Sequence, residues 1–165
     1  MLQVALVEPE IPPNTGNVGR LCAATGARLH LVGRLGFQVD DKTLRRAGMD
    51  YWRHLDWRRH AAFTDLEDYL AGSDGGGRVI CFTTKSTRPY TAIRYQPGDC
   101  LVFGSEGRGL APEILARHQP LAVTLPMPGK DGPAGQAVRS INLATAVAVG
   151  LYEGLRQIQG WEGPA

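Results

Sequence analysis

Apolar residues come along this chain in short bursts punctuated by glycine, proline and charge. Leu2 to Val7 is a nearly continuous apolar run of strand length, with the valine content of a buried strand. Glu8 to Pro13 stops it, because prolines can neither donate to a ladder nor continue a helix. Asn14 or Thr15 can cap the next segment and Gly26 can end it, predicting a helix of about ten residues. Arg28 to Val32 then reads as a second strand, so strand, helix and strand fall within about 30 residues, the spacing of a parallel crossover. Further strands are predicted at Arg78 to Phe82, Cys100 to Phe103 and Leu121 to Leu125, with helices at Thr64 to Leu70, Pro112 to Arg117 and Ile141 to Gln157. In the last of these, Leu143, Val147, Leu151 and Leu155 recur at helical spacing. The pattern predicts an α/β fold with a mainly parallel sheet flanked by helices, in which the loops after the strands carry the chemistry.

Three of those loops are unusual. In Pro12 to Arg20, a helical wheel puts Val18, Leu21, Cys22 and Thr25 on one face and Gly16, Asn17, Arg20 and Ala24 on the other. A small, polar face carrying one Arg at a helix start suits a backbone phosphate, although an Asn-capped helix with a solvated Arg explains the same residues. Leu101 to Leu110 places three glycines around Glu106 and Arg108 directly after an apolar run, so the backbone either turns sharply or closely approaches something. It lacks the order of a P-loop and of a nucleophile elbow, which makes Ser105 a poor nucleophile. The third loop runs from Leu125-Pro-Met-Pro-Gly129 to Arg139-Ser-Ile-Asn-Leu-Ala144, where Ser140 can cap the last helix and Asn142 would fall in its first turn. Asn is a poor helix-interior residue, so Asn142 invites another explanation. Turns of Gly, Pro and Leu with few charges suit an uncharged, adenosine-type ligand bound by backbone groups.

Composition narrows the classes. The 165 residues are 43% apolar and 21% charged, with 21 Gly and 11 Pro in no repeating period, which excludes disorder and fibres. No apolar stretch approaches the roughly 20 residues of a membrane span and Met1 to Glu10 has no leader pattern, so a cytoplasmic protein is expected. Cys22, Cys81 and Cys100 are odd in number and widely spaced, which argues for buried free thiols and against disulfides or a zinc site. The net charge is only +2, yet 15 of the 18 basic residues are Arg, whose planar fork suits phosphates and stacked bases. Between Lys42 and His60, Arg45, Arg46, Arg53, Arg58 and Arg59 gather beside Tyr51, Trp52 and Trp57. That mixture either holds single-stranded nucleic acid or forms a solvated helix face.

Taken together, the three loops resemble the SpoU branch of the SPOUT superfamily of RNA methyltransferases. The segment with Asn14 and Arg20 is similar to its first motif, Phe103-Gly-Ser-Glu-Gly-Arg-Gly-Leu110 to its second, and Leu125-Pro-Met127 with Arg139-Ser-Ile-Asn-Leu143 to its third. Glu8 to Asn17, Arg28 to Leu31, Leu44 to Gly48 and Thr83-Thr-Lys85 extend the likeness to the branch's tRNA wobble-position enzymes. The resemblance spans residues 1–158 as one domain, leaves 159–165 as a short tail, and omits the loop from Gly129 to Ala137. It implies a C-terminal deep trefoil knot, a homodimer, no metal and no membrane. It also implies S-adenosylmethionine-dependent 2′-O-methylation of ribose at tRNA position 34 in the anticodon stem-loop, with S-adenosylhomocysteine as product. Another tRNA or rRNA position, or a non-catalytic RNA-binding homologue, is the alternative. Phe82, Gly104, Leu125 and Ser140 are expected to touch the cofactor, and Asn14, Arg20, Glu106 and Asn142 match the catalytic region. Arg20, Arg45, Arg46 and Arg139 are expected to bind RNA. Because a guanidinium stays protonated, Arg20 is expected to stabilise a developing alkoxide or clamp a phosphate, with Glu106 or a phosphate oxygen accepting the proton.

Overall fold

In the computed structural model, which describes residues 1–36, 50–72, 76–129 and 138–161, the five predicted strands and one unpredicted strand assemble into a six-stranded sheet. Its strands are β1 (Gln3–Val7), β2 (Arg28–Val32), β3 (Trp57–His60), β4 (Val79–Phe82), β5 (Cys100–Phe103) and β6 (Ala122–Val123), in the order β3-β2-β1-β5-β4-β6. Every pairing is parallel. The helices are α1 (Pro12–Thr25), α2 (Phe63–Gly72), α3 (Pro112–Arg117) and α4 (Leu143–Gln159). Alternate strand residues feed two cores, which is why the strands read as apolar runs without alternation. Val4, Leu6, Leu29, Leu31, Ile80, Phe82, Leu101 and Phe103 pack with Val18 and Cys22 of α1 and with Val147, Leu151 and Leu155 of α4. Ala5, Val7, Val32, Cys81, Cys100 and Val102 pack on the other side with Leu66 and Leu70 of α2 and Ile114 of α3. The three cysteines are free and buried as expected, and burial pushes the Cys22 and Cys81 thiols up to about 12.

Several local expectations need correction. The first helix starts at Pro12, and its N-cap is Ile11, with no side-chain cap from its own sequence. Proline suits a first helical position because its fixed φ is already helical and its missing N–H is not needed there. Asn14 and Thr15 are therefore inside the helix and buried, not at its cap. Gly16 and Gly19 are buried too, whereas Asn17, Arg20 and Ala24 stay exposed, so the small, polar face of α1 is covered only at Gly16. A Cβ on Gly19 would lie 2.6 Å from the Trp52 ring, and the Tyr51 hydroxyl donates to the Gly16 carbonyl at 2.6 Å. Trp52, only 5% exposed, is thus a core residue and cannot serve as a stacking platform for bases. The sixth strand, β3, lies in the Arg-rich segment, where the interleaved Arg58 and Arg59 hide a strand from any apolar-run criterion. The last helix begins at Leu143, capped by Asn142 and not by Ser140. Cap duty is the explanation for an Asn there: its oxygen satisfies a backbone donor that the helix cannot.

A buried polar chain crosses the α2 side of the sheet. Gln3 Nε2 donates to the Gly98 carbonyl at 2.9 Å, which turns Gln3 Oε1 toward His30 Nε2, also at 2.9 Å. His30 Nε2 is then the donor, and its Nδ1 accepts from His60 Nε2 at 2.9 Å. Burial, with the neighbouring His60, Arg28 and Arg58 adding to it, pushes His30 down to about 3, so the ring stays neutral.

Candidate functional site

The carboxyl ends of β1, β5, β4 and β6 release four loops into one crevice, beside the place where the strand order reverses between β1 and β5. There they enclose a cavity of about 580 Å³. Its walls include Phe82 and Phe103, stacked at 4.5 Å between centroids, together with Leu110, Leu125, Leu143 and Ala146. Its uncharged polar groups come from Asn14, Thr83, Thr84, Ser105, Thr124, Ser140 and Asn142, and its charged ones from Lys85, Glu106, Arg108 and Arg139. A nucleoside-sized ligand needs a volume of this order with few polar groups and apolar walls.

The loop after β5 is shaped first by close contact of the backbone with itself. Gly109 N–H donates to the Ser105 carbonyl at 2.8 Å, closing a tight turn whose Gly109 has a φ of 70°. A Cβ on Gly104 would fall 2.1 Å from the Gly109 carbonyl carbon and 2.2 Å from the Leu110 nitrogen, so only glycine can stand there. The three glycines thus both turn the chain and permit a close approach, of the chain to itself.

At the cavity edge the three unusual loops meet through side chains. Asn142 Oδ1 accepts the Thr145 N–H at 3.2 Å, which leaves its Nδ2 to donate to Asn14 Oδ1 at 3.0 Å. Asn14 Nδ2 then donates to Glu106 Oε1 at 2.9 Å. Every amide orientation in this relay is fixed by its neighbour. Glu106 also accepts the Glu10 N–H at 2.8 Å and the Ile11 N–H at 3.3 Å, and so takes the N-cap donor of α1, which a capping-box glutamate would take from within the helix. Glu10 returns the contact, its Oε2 accepting the Gly107 N–H at 3.1 Å. Burial raises the Glu106 carboxyl, but the hydrogen bonds from the Asn14 amide and the Glu10 and Ile11 N–H groups outweigh it and hold Glu106 below the usual carboxylate range.

Asn14, Glu106 and Asn142 are therefore brought together, and Phe82, Gly104, Leu125, Ser140 and Arg139 all line the same cavity. Arg20 does not line it. It lies exposed on α1 with its guanidinium 5.2 Å from the centre of the Tyr51 ring. Arg45 and Arg46 lie outside the described residues. Sequence reasoning gives no role to Glu10, which holds the loop after β5 from outside the cavity, or to Lys85 and Arg108, which line it. Among the described residues no group of three or more His, Cys, Asp or Glu could hold a metal ion, and no helix is long and apolar enough to cross a membrane.

Comparison with known proteins bears on this geometry. The profile of the SpoU rRNA methylase family matches residues 1–152. The chain belongs to that family. Within it, the chain is 47% identical to the tRNA (cytidine(34)-2′-O)-methyltransferase of Burkholderia pseudomallei strain 1106a, with both chains covered over their whole length. It is 45% identical to the enzyme of the same name from Escherichia coli K12, covering 99% of this chain and 97% of that one. A solved structure bearing on 2-OH methylation of C/U34 on tRNA superposes with a TM-score of 0.82 at 44% identity, covering 97% of each chain. An AdoMet-bound rRNA methyltransferase from Sinorhizobium meliloti superposes with a TM-score of 0.76 at 28% identity, covering 94% of this chain and 56% of that one.

Proposed function

We propose that this chain is a tRNA (cytidine/uridine-34)-2′-O-methyltransferase that uses S-adenosylmethionine. The observation that carries the proposal is the junction of Asn14, Glu106 and Asn142 at the mouth of an apolar cavity of about 580 Å³, in a chain 45% identical to the E. coli enzyme. The cavity fits the cofactor by its chemistry. An adenosine moiety needs apolar walls and backbone partners, and the turns at Gly104 and Leu125 supply both, with Phe82 alongside and Ser140 at the rim. S-adenosylmethionine supplies an electrophilic methyl group on a sulfonium, with S-adenosylhomocysteine as product.

What this chain adds is alignment and charge placement. The relay from Thr145 through Asn142 and Asn14 to Glu106 ties the entry of α4, the start of α1 and the loop after β5 to one another. A ribose hydroxyl set against that junction would meet a preorganised surface at little reorganisation cost. Glu106, ionised and engaged with three N–H donors, is the weaker of the two expected proton acceptors and the better anchor, so a phosphate oxygen is favoured as acceptor. Arg20 stabilises the alkoxide or clamps its neighbouring phosphate. Its position outside its own chain's cavity is accounted for by a homodimer in which α1 of one chain faces the site of the other. Tyr152 and Trp161, exposed beside the end of α4, support such pairing. A trefoil knot in the C-terminal part, a single domain over 1–158, a cytoplasmic location and binding of the anticodon stem-loop through Arg20, Arg45, Arg46 and Arg139 complete the proposal.

Incubation with unmodified total tRNA and labelled cofactor, followed by mass-spectrometric mapping, should find the methyl group on the ribose at position 34. A methyl group at any other nucleotide, or none, rejects the substrate assignment. Arg20→Lys should bind tRNA within a few-fold of the parent yet lower kcat by about 100-fold, because the two-pronged donor is lost; an unchanged kcat removes Arg20 from the mechanism.

A further inference from the structure

Arg28, Arg78, Arg117 and Arg156, away from the cavity, are each tied to a carboxylate: Asp56, Asp99, Glu67 and Glu153. Lys85, Arg108 and Arg139 line the cavity, are all exposed, and make no ion pair among the described residues. They arrive from three separate loops: Lys85 after β4, Arg108 in the turn after β5, and Arg139 ahead of α4. Among the described residues the one carboxylate lining the cavity is Glu106, and its oxygens are taken up by the Asn14 amide and the Glu10 and Ile11 N–H groups. It is oriented toward α1 and so leaves the three cations without a carboxylate partner among the described residues. Three such cations around an apolar cavity attract an anion with spaced charges, and a nucleic-acid backbone has that spacing.

We propose that Lys85 and Arg108, with Arg139, form a phosphate-binding rim that grips the RNA backbone on either side of the nucleotide presented to the cavity. This rests on the RNA 2′-O-methyltransferase assignment, and adds to it two residues and a ligand chemistry. The contacts are electrostatic and independent of base identity, so the rim sets affinity and register while other groups select the base.

The test uses the full-length protein with Lys85→Gln, Arg108→Gln and the double variant. Both side chains are exposed, so folding should be retained and can be checked by thermal melting. The salt dependence of binding to unmodified tRNA is the first readout, and S-adenosylmethionine affinity by calorimetry is the second. Each single variant should weaken tRNA binding by about five- to tenfold and make the slope of log K against log salt shallower by about 1, with the double variant losing about 2. Cofactor affinity should be unchanged. An unaltered salt slope in the double variant overturns the rim. So does weakened cofactor binding with an intact tRNA slope, which would assign these cations to the cofactor's carboxylate. If the variants lose slope while the parent protein methylates no tRNA, the rim stands and the enzymatic assignment falls; if the parent methylates tRNA and the slopes are unchanged, the reverse holds.

Discussion

Two hydrogen-bonded side-chain chains run through this molecule, one buried in the core and one part-exposed at the cavity edge, and their difference is instructive. Gln3, His30 and His60 link three neighbouring strands on the α2 side. Asn14, Glu106 and Asn142 link three loops that are far apart in sequence. Both join distant segments. The histidine chain is sealed, with His30 wholly buried and held neutral, and it does not line the cavity. The asparagine relay ends on an ionised carboxylate and opens onto the cavity. Hydrogen bonding is therefore common to core and cavity edge, and what distinguishes the edge is a network that faces a ligand-sized space with its charge retained.

The largest effect is expected at Gly104. Gly104→Ala forces a methyl group into the Gly109 carbonyl carbon at 2.1 Å, and should cost about 3 kcal/mol or more of stability along with essentially all methyl transfer. Thermal melting and a transfer assay on the same preparation check both. Asn14→Asp comes next: it replaces the donor 2.9 Å from Glu106 with a second carboxylate, and should lower kcat by about 100-fold and stability by about 2 kcal/mol. If kcat is retained, the relay is structural like the histidine chain, and the contrast between them fails.

Acid separates the two chains by pH window. His30, pushed down to about 3 from an ordinary 6.5, is neutral when folded and takes up a proton when unfolded. Its contribution is complete above pH 6.5 and is lost as pH falls, by about 3 kcal/mol at pH 4. His60, also lowered by burial, adds in the same direction. Glu106, held below the usual carboxylate range, loses its contribution only as pH falls below 4.5. Urea midpoints from pH 7.5 to 4.5 should therefore drop in the parent protein and drop less in His30→Gln, while Glu106→Gln leaves that part of the slope intact. The smallest effect should come from Glu10→Gln, which weakens one exposed contact to the Gly107 N–H and should shift stability by about 0.5 kcal/mol with kcat reduced no more than a few-fold.

Much of this was legible in the chain. Continuous apolar runs announced five of the six strands, because a parallel sheet covered on both faces needs no alternation. β3 escaped because it is an edge strand whose Arg58 and Arg59 are exposed, so its only apolar signal is Trp57. Glu106 and Asn142 could be singled out as residues poorly explained by local structure, whereas Asn14 read locally as a cap and entered the site only through the family resemblance. The partners that explain them could not, since Glu106 caps a helix that starts 94 residues earlier, at Pro12.

Local sequence determined the elements, the loops that matter and the need for glycine at Gly104, because strand and helix periods and turn chemistry act over a few residues. Tertiary structure alone decided that Asn142 is the cap and Ser140 is not, that Trp52 is core, that Glu106 is an anchor with its charge turned toward α1, and that Lys85 and Arg108 face the cavity. Those outcomes depend on hydrogen-bond partners and packing surfaces contributed by strands that are neighbours in the sheet and strangers in the chain.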